Sequence, residues 1–477
     1  MNEIGGNIRD YLETHFGTEF VKKYSEYLET DRDSFIRVNP VLIDEDSLIT
    51  RLKKYNISLT KINSIPNAYR VNSGREIIGK TLDFILGYYY IQSLSSMVPP
   101  VVLAPQPGDK VLDLCAAPGS KTTQLAEMMK NTGTLYANEV AGDRVKMLVH
   151  NMEKMCVTNL GVIKFRGEQL SKFFANHFDK ILVDAPCSAL GILQKKGEVN
   201  NWWNKRHADK LAEMQNKLLV SAVKMVREGG EILYSTCTLT LEENEYAVNK
   251  ILENYPVELV DIELPVKSMP ALTNYGEIKL DDSLSKARRI IPWEAGSEGF
   301  FVAKFRKTGI TERAKPFRIK RENVKFFEVD HPKYRDHFKE IENRFGVPLE
   351  VLDQYKYYEK KNEFFFIKKE FEMPEQNLFE RFGQKFGQID RNNYLHLKTY
   401  IARIFGSNIS GNIIELSEQD DIKTYFEGGT IRKDFGVPGK AMISIDGRMA
   451  GTAISSRDGV KSQFPRALRT QEIIYPF

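Results

Sequence analysis

Between residues 106 and 308 the chain repeats one local pattern, a short apolar run followed by a helix-like stretch. KVLDLC, GTLYANE, LGVIKF, KILVDA and GEILYST read as strands buried on both faces. AGDRVKMLVHNMEK and HADKLAEMQNKLLVSAVKMVREGG, placed between them, carry helical periodicity. Parallel strands need long crossovers and helices supply them, so the alternation predicts an α/β domain on a doubly wound sheet.

Ligands of such sheets bind where the strands end. Cys187 in ILVDAPCSALGIL and Cys237 in ILYSTCTLTLEENE sit just past two strand ends, after Asp184-Ala185-Pro186 and Ser235-Thr236. A structural thiol sits among apolar neighbours; these two do not, and they read as site residues. The first strand, KVLDLC, runs into Cys115-Ala116-Ala117-Pro118-Gly119-Ser120-Lys121 before a helix begins. Small residues let a ligand approach the backbone, and the helix start offers free N–H groups. Glu139 at the tip of ANE, about 20 residues on, stands where an acid binds ribose hydroxyls. There is no G-x-G-x-x-G and no G-x-x-x-x-G-K-[ST], so S-adenosylmethionine fits better than NAD or ATP. The plainer alternative is a tight strand-to-helix turn whose small residues only permit packing.

The remaining features bound the class of protein. At 477 residues the chain exceeds a single core, and its length predicts about three domains. Hydrophobic content of 42% with 28% charged residues is ordinary for a soluble globular protein. No apolar run approaches the roughly 20 residues of a membrane span, and the N-terminus has no secretory h-region, so the cytoplasm is expected and a membrane is not. Four cysteines without a C-x-x-C pair predict reduced thiols, and seven histidines without ligand spacing predict no metal site. Net charge of +4 identifies no polyanion partner by itself. Residues 304–325, however, hold nine Lys or Arg against two Glu, enough to neutralise several phosphates, or to solvate a linker.

Four regions follow. Residues 1–105 read as an N-terminal α+β domain, with Pro105, Pro107 and Gly108 marking its end. Residues 106–308 form the α/β core, closing with strand-like EGFFVAKFRK. Residues 309–400 read as a basic linker and a mixed α/β segment, with a hairpin turning at Lys361-Asn362. Residues 401–477 carry the hairpin signals Asp446-Gly447 and Asp458-Gly459 and predict a small β-barrel-like domain. Tyr88, Tyr89, Tyr90, Trp202 and Trp203 could stack bases or simply pack, with the tryptophan pair favoured as a pocket rim. Cys156, inside a predicted helix, reads as core.

With DLCAAPGSKT, LVDAPCS, STCT and GFFVAKF in order, the chain closely resembles the Sun-family RNA cytosine-5 methyltransferases. RVNP at 37–40, QSLSSM at 92–97 and Glu139 followed by Arg144 extend the match over residues 35–306. Weaker resemblance continues in GTIRKDFGVPGKAMISIDGRMAG and VKSQFPRALR, which look like the C-terminal PUA-like RNA-binding domain of the bacterial ribosomal RNA members. The resemblance implies a Rossmann-like S-adenosylmethionine-dependent methyltransferase core, with an N-terminal RNA-binding α+β domain and a C-terminal PUA-like β-barrel domain. Cys115 to Lys121 would hold the methionine part of the cofactor and Glu139 its ribose, with Arg144 and Arg166 in the same set. Asp184 would lie between cofactor and base. Cys237 would attack and Cys187 would assist release. That assignment rests on the family alone, since DNA cytosine methyltransferases attack with their Pro-Cys cysteine. Where relatives carry an adenine-binding acid after the third strand, this chain has Phe165-Arg166-Gly167-Glu168, with Glu168 two positions late; Ser120 stands where Gly is usual.

The residue types suit the chemistry. A thiolate adding to cytosine carbon 6 makes carbon 5 nucleophilic, and a thiol is mostly protonated at neutral pH, so a cation such as Lys121 is wanted nearby. Asp184 can accept from the exocyclic amino group and so select cytosine over uracil. A base must then take the carbon 5 proton, and Cys187 or a water could take part. Attack on the ring faces needs an unstacked base, so the substrate is a loop, a bulge or a flipped nucleotide. Small-subunit ribosomal RNA is the expected substrate and transfer RNA the alternative. A non-catalytic RNA-binding assembly factor is the reading from another class, and the retained cysteines, Lys121 and Asp184 argue against it. A monomer is expected.

Overall fold

The computed structural model describes residues 4–475 except 314, 318, 320–322, 470 and 471. Five residues of the basic segment (Ala314, Arg318, Lys320, Arg321 and Glu322) therefore lie outside the described residues.

All five expected core strands form, as Lys110–Asp113, Thr134–Asn138, Leu160–Ile163, Phe178–Asp184 and Val226–Thr236. They pair in parallel. Phe300–Lys307 runs antiparallel beside Val226–Thr236. Strand Lys110–Asp113 sits between Thr134–Asn138 and Phe178–Asp184, so the chain order reverses there. Helices cover both faces. Leu94–Leu103, Ser120–Met128 and Gly142–Lys154 pack on one apolar cluster and Lys205–Met225 on the other. This is a Rossmann-like α/β architecture.

The flanks are less separate than their sequence suggests. Ser34–Val38 centres a four-stranded sheet, and its Ile36 and Val38 share one core with Ile414, Tyr425, Ile443 and Phe464 near the other end of the chain. Arg51 ties the two together, pairing with Asp83 at 2.5 Å and with Asp446 at 2.9 Å. The N-terminal helices Gly6–Phe16 and Thr18–Leu28 do not join that core. They pack instead on Leu190, Leu193, Val199 and Leu239, beside the two cysteine loops.

Strand Phe379–Phe382, from the segment expected to be a linker and mixed unit, pairs antiparallel with Leu160–Ile163 and extends the core sheet. Gly161 permits it, since a Cβ there would meet Phe379 at 2.6 Å and Phe371 at 2.7 Å. The hairpins at Lys361-Asn362 and Asp446-Gly447 turn as expected, all four residues at positive φ. The third turns one residue earlier, because Ser456 pairs with Gly459 and leaves Arg457-Asp458 as the turn. The C-terminal sheet does not close into the expected barrel among the described residues: its path runs from Ile413–Glu415 to Thr430–Ile431 without joining those ends. With both end strands short, too few residues remain to pair across the gap.

Candidate active site

The reversal of strand order opens a cleft, and a cavity of about 660 Å³ fills it. Cys115 to Pro118, Ser120, Lys121, Arg144 and Asp184 line it together with Cys187 and Cys237; Gly119, Glu139 and Arg166 do not.

Cys187 and Cys237, fifty residues apart in sequence, bring their sulfurs to 3.0 Å. The Cys237 N–H donates to Cys187 Sγ at 3.3 Å. Between the loops the backbone of Gly191 approaches closely: its N–H donates to the Cys237 carbonyl at 2.9 Å, and a Cβ would meet the Gly299 carbonyl oxygen at 2.2 Å. The hydrogen bond with Cys237, then burial, then the charges of Cys237 and Glu243 push the Cys187 thiol well above the ordinary range.

Lys121 Nζ donates to Asp184 Oδ2 at 2.7 Å and to Ser96 Oγ, from the QSLSSM segment, at 3.0 Å. Ser235 Oγ donates to Asp184 Oδ1 at 2.8 Å, so both carboxylate oxygens are held. Burial pulls Lys121 down, but the charge and hydrogen bond of Asp184 outweigh it and the ammonium is stabilised. Its charge also faces Cys237.

Gly119 takes a φ of +108° at the start of helix Ser120–Met128. Behind the loop, Arg144 bonds the Ala117 carbonyl and pairs with buried Glu139 at 3.1 Å, so Glu139 is linked to the loop through one guanidinium. Arg166 points elsewhere, exposed and paired with Glu168 at 2.7 Å.

Asp113, the last residue of strand Lys110–Asp113, was not singled out in the sequence, although an acid within a buried strand was a usable signal. It lines the cavity; Thr122 Oγ1 donates to its Oδ2 at 2.7 Å, while its buried Oδ1 has no partner. Burial first, with the charge of Asp184 adding to it and the Thr122 hydrogen bond opposing it, pushes its carboxyl up to about 7.

The aromatic candidates divide. Tyr90 lines the cavity, Tyr88 and Tyr89 are core, Trp203 is buried edge-on against Tyr11, and Trp202 is exposed. Cys156 is buried, as expected of a core thiol. At the C-terminal end Lys461 and Arg466 are exposed, whereas the Arg469 guanidinium turns inward to the Phe464 carbonyl at 2.6 and 2.8 Å. Among the described residues no group of three or more His, Cys, Asp or Glu could hold a metal ion, and no helix is long and apolar enough to cross a membrane.

Residues 100–306 match the family model described as 16S rRNA methyltransferase RsmB/F. The chain is similar to a 26S rRNA (cytosine-C(5))-methyltransferase nsun-1 of Caenorhabditis elegans, 37% identical over 52% of this chain and 38% of that protein. It is similar to a tRNA (cytosine(49)-C(5))-methyltransferase of Pyrococcus abyssi, 36% identical over 48% of this chain and 73% of that one. With a ribosomal RNA small subunit methyltransferase F of Shewanella piezotolerans it shares 28% identity over 92% of this chain and 91% of the relative. A solved methyltransferase homologue from Pyrococcus horikoshii matches at TM-score 0.56 and 32% identity, covering 62% of this chain and 93% of that one. Thus the chain spans between a third and two fifths of the length of the nematode protein, and nearly all of the bacterial one.

Proposed function

The chain belongs to the 16S rRNA methyltransferase RsmB/F family, and on that premise we propose that it is an S-adenosylmethionine-dependent RNA (cytosine-5-)-methyltransferase. The product is 5-methylcytosine in small-subunit ribosomal RNA, formed through a covalent cysteine–cytosine intermediate. The observation that carries this reading is the meeting of Cys187 and Cys237 with the Lys121–Asp184 pair in one cavity. A binding scaffold has no use for adjacent thiols beside a held cation. Small-subunit RNA is favoured over transfer RNA because the similarity to the bacterial small-subunit enzyme continues through both flanks, whereas that to the transfer RNA enzyme covers about half the chain. Residues 1–105 and a PUA-like unit at 401–477 would grip RNA; exposed Lys461 and Arg466 suit phosphates, which position a substrate without reading bases. The cytoplasm is the compartment proposed for it.

The residues present fit the cofactor. Small Ala116 and Ala117 leave room at the cavity wall, and the orphaned Asp113 Oδ1 fits a cationic amino group. S-adenosylmethionine, when bound, supplies the methyl group. Cys237 adds to carbon 6 of the cytosine, with the Lys121 ammonium facing it. Asp184 accepts from the exocyclic amino group. After transfer, a base, either a water or Cys187, takes the carbon 5 proton, the electrons of that bond restore the ring double bond, and the Cys237–carbon 6 bond breaks with Cys237 leaving as thiolate. The full chain, labelled methyl donor, small-subunit RNA and transfer RNA test the reading, with bisulfite sequencing to locate the product. Label confined to transfer RNA overturns the substrate, and label in neither overturns the activity.

Two predictions concern binding of the cofactor. With nothing bound, Asp113 carries its proton below about pH 7, and this raised value makes its contribution to stability complete below its ordinary range and lost as pH rises through 7. A cationic amino group beside it favours the ionised form. Cofactor affinity is therefore expected to fall about tenfold per pH unit below 7 and to level off above it. Calorimetry from pH 5.5 to 8.5, on the order of three units, checks this, and Asp113→Asn is expected to flatten the profile. The second concerns adenine. If Glu168 supplies the displaced acid, Glu168→Ala costs one buried hydrogen bond, about 1–3 kcal/mol, and weakens the cofactor about 5- to 150-fold. Unchanged affinity assigns adenine to the backbone instead.

A further inference from the structure

The run Glu242-Glu243-Asn244-Glu245 follows Cys237 and is buried throughout. Its side chains reach four parts of the molecule. Glu242 accepts from the Tyr11 hydroxyl of the first helix at 2.5 Å. Asn244 Oδ1 accepts from Thr236 Oγ1 at 2.6 Å, and Glu245 accepts from Arg289 Nε at 2.5 Å. Glu243 alone touches both cysteine loops. Its Oε2 accepts from the Ser188 N–H at 2.9 Å and from Gln215 Nε2 at 2.8 Å. Its Oε1 accepts from Thr240 Oγ1 at 2.8 Å and from Ser188 Oγ. Ser188 is the residue after Cys187, and Thr240 lies three past Cys237. Ser188 Oγ and Thr238 Oγ1 also meet at 2.9 Å.

No Lys or Arg pairs with Glu243 among the described residues, although its side chain is fully buried. A carboxylate in such a place is expensive, and an amide or hydroxyl would join two loops at lower cost. Burial raises the Glu243 carboxyl, and the hydrogen bonds from Ser188, Gln215 and Thr240, four donors that saturate its acceptor positions, oppose that rise and favour the carboxylate. That charge faces Cys187, as do the Cys237 thiol and the Tyr234 hydroxyl; Asp184 and Lys121 line the same cavity.

Resting on the function proposed above, we propose that Glu243 is a positioning residue for the thiol pair: through Ser188 and Thr240 it locks the Cys187 loop against the Cys237 loop and fixes the approach of the two sulfurs. Its charge also makes the thiols unequal, holding Cys187 as the proton-bearing partner. Misplacing a reacting group by about 1 Å can cost about 100-fold in rate, so Glu243→Ala is expected to lose about 100-fold in kcat with cofactor affinity unchanged. Glu243→Gln keeps the shape and part of the hydrogen bonding and is expected to recover most of that loss.

The deciding readout does not depend on methylation. The full chain is alkylated with iodoacetamide across a pH series and each cysteine followed by peptide mass spectrometry. Glu243→Gln is expected to move Cys187 labelling to lower pH while Cys237 labelling stays. Unchanged Cys187 labelling overturns the proposal, as does a cofactor affinity that falls in step with kcat. Should Glu243→Ala not fold, Thr240→Val removes one hydrogen bond to Glu243 and Ser188→Ala removes those of its hydroxyl to Glu243 and Thr238, and each is expected to lower kcat by about tenfold; wild-type rates in both overturn it. A wild-type chain that methylates no RNA refutes the proposed function, and the alkylation series still decides the role of Glu243.

Discussion

Cys237→Ala is expected to bind S-adenosylmethionine as the parent does and to transfer no methyl group, whereas Cys187→Ala is expected to accumulate a denaturation-resistant adduct between protein and RNA. The two thiols share one cavity, 3.0 Å apart, so position alone does not separate their roles. Environment does. The Cys187 sulfur accepts the Cys237 N–H and is held protonated by its hydrogen bond to Cys237, by burial and by the neighbouring charges. The thiolate is the nucleophile, and a thiol that keeps its proton serves better as a partner in release. Lys121, fixed by Asp184, faces Cys237. On the proposed function, loss of Cys237 is expected to prevent addition to carbon 6 and leave carbon 5 too weak a nucleophile to be methylated, and loss of Cys187 to let addition proceed while breakdown stalls. Denaturing gels of each variant with its RNA check both statements. A shifted species with Cys237→Ala and none with Cys187→Ala would reverse the two roles.

Much of the core was legible because its signals are local. KVLDLC and KILVDA could only be buried strands, and the loops that follow them must meet at one edge of a parallel sheet, which brings Lys121 to Asp184. The cysteine motifs were legible for the same reason. What lay beyond reading was long-range pairing. Phe379–Phe382 carries no mark of the sheet it joins, because its partner Leu160–Ile163 lies more than two hundred residues back and only Gly161 hints at an unusual neighbour. The shared core of Ile36 and Ile443 is equally silent, since apolar periodicity shows that a face is buried and not against what. The turn at Arg457-Asp458 and the inward Arg469 show the limit of residue type: Gly459 suits a strand start as well as a turn, and an arginine near the chain end can cap a carbonyl instead of facing a phosphate. Glu243 escaped notice because an acidic run normally reads as solvent-exposed, and only tertiary structure buries this one.

Arg37, from the RVNP motif, is buried, and its loss is expected to be among the costliest single changes in the chain. Its Nε and one terminal nitrogen bind Glu127 as a fork, at 2.8 and 3.0 Å; it also donates to Thr123 Oγ1 at 2.9 Å, to the Ser120 carbonyl at 3.1 Å and to Gln92. Its guanidinium lies 5.5 Å from the centre of the Tyr90 ring. One side chain of the N-terminal sheet thus grips helix Ser120–Met128, which opens directly after the Cys115–Gly119 loop. Burial raises the Glu127 carboxyl even with Arg37 opposing it, so the acid depends on its partner. Arg37→Ala leaves a buried carboxylate uncompensated and is expected to cost about 3–5 kcal/mol, well above the effect of an exposed ion pair. Arg37→Met with Glu127→Leu removes both charges and fills the space, and is expected to regain most of that loss, since a buried pair often gives no net stability over apolar residues of like size. Because the chain has several cores and need not unfold in one step, hydrogen exchange of helix Ser120–Met128 is the better measure. Faster exchange there in the single variant, restored in the double, is the expected pattern. Equal exchange in both would mean that Arg37 acts on the loop through the Ser120 carbonyl alone, and cofactor affinity would then fall in both variants alike.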